Sequence, residues 1–277
     1  QTQLTQYFAG TRREFDLPLS LKGTDFQKDD WAALCTIPYG ETRSYGQIAE
    51  QIGRPRAFRA VGMANHHNPV SIVVPCHRVI GADGSLVGYG GGLDKKIGLL
   101  ALELENVVNE AVGQGEFDEV RSFAFADIPF SPRVREQCLR CPSYGKKHSC
   151  PPACGSLEGL QRELSKYPKG LMFSRVYRFE KTFDHKGYQA ASVDFTKRTN
   201  ELRLRLGNTR SVVLASGGCK VCPVCTYEEG APCRHPEAMV RSMSAVGTDV
   251  VSLTKKLGMK YNNGEKSVTY FGMVLYQ

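Results

Sequence analysis

The chain has 277 residues and a mass of 30.6 kDa, a length that predicts two domains at about 100–200 residues each. Hydrophobic residues make up 41% of the chain and charged residues 23%, a composition that excludes a disordered protein. No apolar run approaches the roughly 20 residues of a membrane helix, which excludes a transmembrane protein.

Charge is distributed unevenly along the chain. Residues 1–110 contain 11 Lys and Arg against 12 Asp and Glu, whereas the remainder contains 25 basic and 16 acidic side chains. A basic module is typical of proteins that bind a polyanion such as nucleic acid. A solvated lysine-rich surface gives the same excess, and charge alone does not decide between these two interpretations.

Residues 1–103 are predicted to form a mostly helical domain. Helical patterning occurs in four segments, which are 31–37, 44–53, 56–67 and 95–105. Gly53 ends one of them, and Pro55 suits the first turn of the next, so the two short helices match the helix-turn-helix pattern. Cys35 lies in the apolar segment WAALCTI, and we expect it in the core.

Residues 104–116 mix small, polar and Gly residues, and they predict a linker to a second domain over residues 117–277. Strands are predicted at 170–179, 211–216 and 267–276, and helices at 157–167, 192–207, 236–246 and 250–258. Strands that alternate with helices indicate an α/β layer domain. The fold class expected for the whole chain is therefore α/β in two domains.

Cys76 lies in VVPCHRVIG, where an apolar segment and a Pro precede a Cys that His77 follows directly. A neighbouring base or cation lowers the pKa of a thiol from about 8.5 and produces the reactive thiolate. A buried, inert cysteine is the more common fate of a lone Cys. The residues alone leave both readings open.

The sequence around Cys76 closely resembles the active-site domain of O6-alkylguanine-DNA alkyltransferases, which are suicide DNA-repair proteins. The resemblance covers about residues 3–103. Two segments carry it, IPYGETRSYGQIAEQIGRPRAFRAVGMANHHNP and PCHRVIGADGSLVGYGGGLDKKIGLLALE. It implies a single-turnover methylated-DNA–protein-cysteine methyltransferase whose partner is double-stranded DNA carrying O6-alkylguanine.

The resemblance also implies catalytic roles. Cys76 matches the alkyl acceptor, and His77 matches the histidine that takes the thiol proton through a water. Glu103 matches the carboxylate that polarises this histidine, and Asn68 matches the asparagine that orders the thiol. Attack of the thiolate on the alkyl carbon would expel guanine and leave a thioether, so that one domain reacts once.

Further positions match residues that bind DNA and extrude the base, a step that costs a few kcal/mol. Tyr45 matches the tyrosine that crowds the target phosphate, Arg59 the arginine that enters the base stack, and Tyr89 the residue that closes over the flipped base. The family docks its helix-turn-helix in the minor groove through small side chains, which here are Ala57, Ala60 and Gly62.

Eight cysteines form two groups in the second domain: Cys138, Cys141, Cys150 and Cys154, and then Cys219, Cys222, Cys225 and Cys233. Each group is sufficient for one tetrahedral zinc or one 4Fe–4S cluster. The Cys-x-x-Cys-x-x-Cys run of the second group suits the corners of a cube better than a single zinc. We therefore expect one or two 4Fe–4S clusters, with zinc as the weaker alternative and unligated reactive thiols as a third.

Residues 117–277 resemble an uncharacterised prokaryotic family of predicted metal-binding proteins, through CLRCPSYGKKHSCPP and GGCKVCPVCTYEEGAPCRHPEAMVRSMSAVGTDVV. This resemblance implies a cofactor but no reaction. The module is a structural clip, a DNA-binding surface or a redox centre served by an electron donor, and the sequence leaves these roles open. If Cys154 is not a ligand, the first group keeps three thiolates and an open metal position.

Our main expectation is a DNA-repair alkyltransferase fused to an iron–sulfur module. The alternatives are a lesion-binding sensor without turnover and a redox-coupled methyltransferase that acts on a small methyl donor. The start of the chain has no apolar core of an export signal. We therefore expect a cytoplasmic protein, without a membrane partner, that acts as a monomer.

Overall fold

The computed structural model describes residues 1–113, 115–182 and 184–277. It divides into two compact units, the first comprising Gln1–Val108 with Asn208–Arg210 and the second comprising Asn109–Gly207 with Ser211–Gln277. The first unit is mostly helical and the second combines helices with a mixed sheet. This agrees with the α/β class expected for two domains. No helix within the described ranges is long and apolar enough to span a membrane.

Within the described residues the first unit contains four whole helices, a two-stranded parallel pair and the first part of a fifth helix, whose residues from Asn109 onward belong to the second unit. In chain order the elements are α1 (Thr2–Phe8), α2 (Asp25–Cys35), β1 (Arg43–Ser44), α3 (Tyr45–Gln51), α4 (Phe58–His66), β2 (Val79–Ile80) and α5 (Leu93–Gly113). A capping box begins α2 at Thr24, and a second one begins α3 at Ser44. Both caps satisfy backbone N–H groups that the first helical turn leaves without partners.

Helices α2, α3 and α4 enclose the core of the first unit. The indole of Trp31 on α2 donates a hydrogen bond of 3.0 Å to the carbonyl of Ala64 on α4. Gly53, with a φ of 70°, allows the tight turn between α3 and α4. Cys35 is exposed, so its expected place in the core is wrong. The buried face of α2 carries Asp30, Trp31, Ala33 and Leu34, whereas Cys35 is the last residue of the helix.

Helix α5 is longer than the sequence predicted. It continues through most of the expected linker, as far as Gly113. Val108, Ala111 and Val112 are buried and extend the apolar spacing of the helix beyond Glu103. Gln114, within the same predicted linker, lies outside the described residues.

The second unit contains a five-stranded sheet with the order β3-β4-β7-β5-β6. In chain order its elements are β3 (Glu119–Ala124), α6 (Pro132–Glu136), α7 (Leu157–Leu164), β4 (Lys169–Arg178), α8 (His185–Leu206), β5 (Ser211–Ala215), β6 (Arg241–Ser242), α9 (Val250–Lys256) and β7 (Ser267–Tyr276). Neighbouring strands are antiparallel except β5 and β6, which are parallel. Strands β4 and β7 pair over their full ten residues.

Both faces of this sheet are covered, so the central strands are apolar almost throughout. Met172 and Met273 lie in one core cluster with Leu160 and Leu164 of α7 and Leu253 of α9. On the opposite face, aromatic rings of β4, α8 and β7 pack together, namely Phe173, Phe195 and Tyr270. The strands predicted from these apolar runs are confirmed as β4, β5 and β7.

Two segments of the second unit differ from the sequence prediction. Residues 236–246, predicted as a helix, form two short 3₁₀ turns (Pro236–Ala238 and Ser244–Val246) on either side of β6. Residues Val240, Ser242 and Met243 are buried among the strands and helices around them, and tertiary packing overrides the helical pattern. Strand β3 was not predicted, because only Phe123 is buried along it.

Gly272 on β7 should not tolerate a side chain. It pairs with Phe173, and a Cβ there would lie 2.5 Å from the Phe173 ring and 3.1 Å from the carbonyl of Leu214. We expect Gly272→Ala to lower the free energy of unfolding by about 1–3 kcal/mol through overpacking. Urea denaturation of the full chain measures this change.

Gly98 provides the matched control, because it lies in an exposed part of α5 where an added Cβ would meet no neighbouring group within 4 Å. Gly98→Ala should raise the free energy of unfolding by about 0.5–1 kcal/mol, since alanine loses less backbone entropy in a helix. Equal effects of the two substitutions would contradict the packing argument.

Candidate functional site: a buried thiol and two cysteine-lined cavities

Cys76 begins a 3₁₀ turn, Cys76–Arg78, and only 6% of its surface is exposed. The amide nitrogen of Asn68 donates hydrogen bonds to Cys76 Sγ at 3.1 Å and to the carbonyl of Val74 at 2.8 Å. The amide oxygen of Asn68 accepts from the N–H of Val70 at 3.0 Å, which fixes the orientation of the amide. Asn68 therefore directs an N–H at the sulfur, as its predicted role requires.

The charge state of the Cys76 thiol is set by opposing effects. Burial raises its pKa, whereas the hydrogen bond from Asn68 and the positive charge of Lys96 lower it. The ammonium of Lys96 is fully buried and donates to the carbonyls of Val79 and Val87 at 2.5 and 2.8 Å. Burial lowers the pKa of Lys96 to about 8, so this group is positively charged at neutral pH and stabilises a thiolate.

His77 and Glu103 form a buried acid–base pair. Nε2 of His77 lies 2.9 Å from Oε1 of Glu103, and both side chains are fully buried. Since the carboxylate accepts, Nε2 carries the proton and Nδ1 holds a lone pair. Nδ1 is buried and has no hydrogen-bond partner among the described residues. Burial lowers the pKa of His77, which makes the ring a neutral base at physiological pH.

Glu103 also anchors a wider network. Arg78 donates to its carboxylate at 2.8–3.2 Å, the hydroxyl of Tyr7 donates at 2.6 Å, and the N–H of Gly40 donates at 3.1 Å. Burial alone would raise the pKa of Glu103, but the hydrogen bonds and charges of His77 and Arg78 lower it to about 2. The carboxylate is therefore ionised throughout the physiological range.

Tyr45 and Tyr89 lie beside this centre. Burial and the neighbouring Cys76 raise the pKa of both phenols. The Tyr45 hydroxyl donates to the carbonyl of Val87 at 3.2 Å, and its ring lies 5.9 Å from the Lys96 ammonium. Asn68, Tyr45 and Tyr89 thus lie beside Cys76, and His77, the next residue along the chain, pairs with Glu103.

The remaining predicted DNA-binding residues lie on α4 and at its start. Arg59 and Ala60 are exposed, whereas Ala57 and Gly62 are half-buried. The Arg59 guanidinium lies over the ring of Phe58, which is itself 49% exposed. These residues form an outward face of the first unit, separate from the buried network of Glu103.

Sequence reasoning missed four buried polar residues, namely Tyr7, Asp30, Arg78 and Lys96. Lysine, arginine and aspartate are rarely fully buried, so the residue types alone did not indicate that these side chains lie in the interior. Arg78, in the motif PCHRV directly after His77, was the one whose position offered a clue.

Asp30 is a fully buried carboxyl between α2 and α4. The amide nitrogen of Asn65 faces α2 and donates to Oδ2 of Asp30 at 2.9 Å. Oδ1 of Asp30 has no partner among the described residues. Burial raises the pKa of Asp30 to about 7.

The first cysteine group lines a cavity in the second unit. Cys138, Cys141 and Cys150 line a space of about 230 Å³. Its other lining residues are Gln137, Tyr144, Pro151, Gly217, Gly218, Ser242 and Ser244. Burial and the neighbouring thiols raise the pKa of Cys138 and of Cys150. Cys154 does not line this cavity and belongs to the core cluster of the unit, but it is close enough for its charge to raise the pKa of Cys138 and Cys150.

The second group lines a smaller cavity of about 30 Å³, which all four of its cysteines border with Lys147, His148, His235 and Met239 among others. That volume equals roughly one water molecule. Thr226 closes the loop by donating to the carbonyl of Pro232 at 2.8 Å, and His148 contacts the carbonyl of Ala231 at 3.0 Å. A group larger than one ion therefore requires this loop to expand.

The two cavities adjoin each other. The Ser149 hydroxyl accepts from the N–H of Cys219 at 3.1 Å and lies 3.8 Å from Cys150 Sγ. Lys147 donates to the carbonyl of Cys219 at 2.9 Å. A Cβ on Gly218 would lie 3.0 Å from Cys150 Sγ. Residues 147–150 and 217–219 thus form the common wall between the two cysteine groups.

All ten cysteines are free thiols, and thiolate sulfur is a ligand for both zinc and iron–sulfur clusters. In the part of the chain that the structure describes, no three His, Cys, Asp or Glu side chains converge tightly enough to hold one metal ion. The sulfurs of Cys138, Cys141 and Cys150 surround a space rather than meet at a point. The donor set and volume of the first cavity therefore fit a group larger than a single ion.

Residues 121–276, more than half of the chain, match the family model described as "Predicted metal-binding protein (DUF2284)". The chain belongs to this family of predicted metal-binding proteins. The two cysteine groups and all but the first two residues of the five-stranded sheet lie within the matched residues, which confirms the resemblance predicted for the second half.

Residues 25–105 match a second model, the 6-O-methylguanine DNA methyltransferase, DNA binding domain. Over 101 residues the chain is 70% identical to a methylated-DNA–protein-cysteine methyltransferase of Mycolicibacterium paratuberculosis, covering 36% of this chain and 61% of that protein. A protein of the same name from Methanosarcina barkeri is 61% identical over 105 residues, covering 38% and 66%. The resemblance predicted for the first half is confirmed, although the chain spans about three fifths of the length of such relatives.

Solved structures similar to the first half include Mycobacterium tuberculosis OGT in complex with DNA, at 65% identity and a TM-score of 0.38, covering 38% of this chain and 65% of that one. S. pombe Atl1 in complex with damaged DNA containing O6-carboxymethylguanine is 34% identical, with a TM-score of 0.27 and coverages of 30% and 79%.

The buried carboxyl of Asp30 predicts a pH-dependent stability. Its pKa is about 7 in the folded chain against an ordinary 3.8. Its stabilising effect is therefore fully present below about pH 4 and is lost as the pH rises through 7. Asp30→Asn removes this titration. We expect the variant to gain on the order of 1–3 kcal/mol over the native chain at pH 8, because it no longer buries an ionised carboxyl whose Oδ1 has no partner among the described residues.

Urea denaturation of both chains at pH 5 and pH 8 tests this expectation. The difference between the variant and the native chain should grow with pH. A difference that does not grow between pH 5 and pH 8 would contradict a raised pKa of Asp30 in the folded chain.

Proposed function

We propose that the first unit repairs DNA by moving the alkyl group of O6-alkylguanine irreversibly to Cys76. The observation that carries this proposal is the arrangement at the thiol, where Asn68 donates to the sulfur, Lys96 supplies a positive charge and the His77–Glu103 pair supplies a base. The identity of 70% to a protein named methylated-DNA–protein-cysteine methyltransferase supports it.

In the proposed reaction the proton of the Cys76 thiol passes through a water to Nδ1 of His77. Glu103 stabilises the resulting imidazolium, because its carboxylate is ionised and hydrogen-bonded to Nε2. The thiolate attacks the alkyl carbon, an S–C bond forms and the C–O6 bond breaks. The electron pair of the broken bond stays on guanine, which takes up a proton from solvent. The product is a thioether, so each chain reacts once.

The proposed DNA partner binds through α3 and α4, used as a helix-turn-helix. The exposed Arg59 is the residue that would enter the base stack, and Tyr45 would face the target phosphate. Tyr89 would close over the extruded base. The short or absent side chains of Ala57, Ala60 and Gly62 would permit close approach to the minor groove. Arg59 on an exposed helix face and Tyr45 beside the thiol support these assignments.

Alkyl transfer is tested with duplex DNA that carries O6-methylguanine labelled in its methyl group. We expect one label per chain, on Cys76, as read by mass spectrometry of tryptic peptides. Cys76→Ala should accept none. Cys35→Ser is the matched control, since Cys35 is the exposed thiol of the same unit, and it should accept label like the native chain.

Two other outcomes would overturn the assignment. Tight binding of the lesion duplex without label would favour a sensor of lesions. Label from a small methyl donor together with no binding to duplex DNA would favour a methyltransferase that does not act on DNA.

For the second unit we propose iron–sulfur chemistry. Cys138, Cys141 and Cys150, and the four cysteines at positions 219, 222, 225 and 233, would hold one or two 4Fe–4S clusters. A bound cluster would supply a site for one-electron transfer, with an electron donor as partner, in addition to fixing the cysteine loops. The free thiols fit a reducing compartment such as the cytoplasm.

Elemental analysis of anaerobically purified full chain tests the metal. We expect iron and acid-labile sulfide in equal amounts, about four of each per cluster. Stoichiometric zinc without sulfide would replace the cluster proposal with a zinc site. Chelation of the metal should also lower the stability of the second unit, because cluster binding and folding of the loops are coupled.

A further inference from the structure

Four hydrogen-bond donors of the described residues meet at one oxygen of the Glu103 carboxylate. Oε1 accepts from Nε2 of His77 at 2.9 Å and from the guanidinium of Arg78 at 2.8 and 3.2 Å. It also accepts from the hydroxyl of Tyr7 at 2.6 Å. The same hydroxyl lies 3.5 Å from Nε2 of His77. His77 therefore shares its acceptor atom with two other side chains, and the contact of Tyr7 is the shortest of the three.

Tyr7 reaches this oxygen from an element outside the residues that match the methyltransferase model. It lies on α1, whereas the match covers residues 25–105. Its side chain is fully buried, and its ring packs against the rings of Phe15 and Tyr39, with centroids 5.5 and 5.8 Å away. Burial and the charge of Glu103 raise the pKa of Tyr7, so the phenol keeps its proton and acts as a donor at physiological pH.

We propose that Tyr7 is a positioning residue for alkyl transfer, whose hydroxyl competes with His77 for Oε1 of Glu103 and so weakens the stabilisation of a protonated His77 by the carboxylate. A hydrogen bond to the carboxylate draws off part of its negative charge, and less of that charge is then available to an imidazolium. The effect of Tyr7 on the rate rests on the alkyl transfer proposed above, whereas its effect on His77 does not require the reaction.

The charge of His77 is set by groups from several elements. The titratable and charged side chains around its turn are Cys76 and Arg78 on the turn itself, Lys96 and Glu103 on α5, Asp30 on α2, Tyr39 after α2 and Tyr7 on α1. Burial lowers the pKa of His77, Glu103 raises it, and Arg78 and Lys96 lower it. By reducing the opposing effect of Glu103, Tyr7 keeps His77 neutral to a lower pH. The base is then available for the thiol proton over a wider pH range.

Tyr7→Phe tests this role in the full chain, because it removes the hydroxyl and keeps the packed ring. We expect the pKa of His77 to rise, as read by NMR of ¹⁵N-labelled histidine side chains. The signal of His77 is assigned by its loss in His77→Gln. Tyr39→Phe is the matched control, since it removes a hydroxyl that accepts from Asn106 at 2.9 Å, and it should leave the pKa of His77 unchanged.

The pH profile of alkyl transfer gives a second measurement. With labelled O6-methylguanine in duplex DNA, the rate of Tyr7→Phe should fall about three- to tenfold below the native rate on the acidic side of the profile, the range expected for one hydrogen bond. Above about pH 8 His77 is neutral in both chains, and the two rates should agree. A purely structural role of Tyr7 would instead lower the rate by one factor at every pH.

Replacement of Tyr7 by 3-fluorotyrosine changes the hydrogen bond in the opposite direction. Fluorine makes the phenol a stronger donor and keeps the ring, so the pKa of His77 should fall below that of the native chain. This replacement also keeps the test decisive if Tyr7→Phe does not fold, as judged by circular dichroism.

An unchanged pKa of His77 in the folded variants, or shifts of the same sign for Tyr7→Phe and the fluorinated chain, would overturn the inference. A native chain that accepts no label would instead refute the proposed alkyl transfer, and the pKa of His77 would still decide whether Tyr7 controls the base. The two failures are thus distinguished by measurements on the same proteins.

Discussion

The carboxylate of Glu103 is the interaction on which the first unit depends. It is fully buried on α5 and accepts hydrogen bonds from His77, Arg78, Tyr7 and the N–H of Gly40. A buried charge is costly unless it is paired and fully hydrogen-bonded. The same contacts that meet this cost hold the 3₁₀ turn of Cys76 against α5. The hydrogen bonds that stabilise the buried Glu103 carboxylate therefore also fix the orientation of the His77 ring.

In the second unit, the cysteines are positioned by the sheet and by contacts between the two cysteine loops. The long pairing of β4 with β7 and the helices on both faces form a rigid layer, and the cysteine loops lie outside it. Ser149, Lys147 and Gly218 then tie one loop to the other. The cysteines depend on this frame for their position, since loops of such length bury few apolar side chains of their own.

The sequence predicted most of what depends on local pattern. Apolar runs located β4, β5 and β7. The ordered motif around Cys76 predicted a site with Asn68, His77 and Glu103; in the structure Asn68 donates to Cys76 and His77 pairs with Glu103. The predictions that failed concern features that depend on tertiary packing. Cys35 is exposed because α2 ends there, and only Arg241–Ser242 of the helix predicted at 236–246 join the sheet. Lys96 is buried only because three carbonyls surround its ammonium. No periodicity in the sequence encodes such an environment. The place of Cys154 in the core likewise follows from packing and not from its spacing.

The carbonyl of Val87 accepts from two groups with different duties, the hydroxyl of Tyr45 and the ammonium of Lys96. The phenol and the ammonium therefore share one acceptor. If a phosphate displaces the Tyr45 hydroxyl, that oxygen becomes a stronger acceptor for the ammonium alone, and the field at the nucleophile changes with it. Contact of DNA with Tyr45, as proposed, would then change the electrostatic environment of the Cys76 thiol.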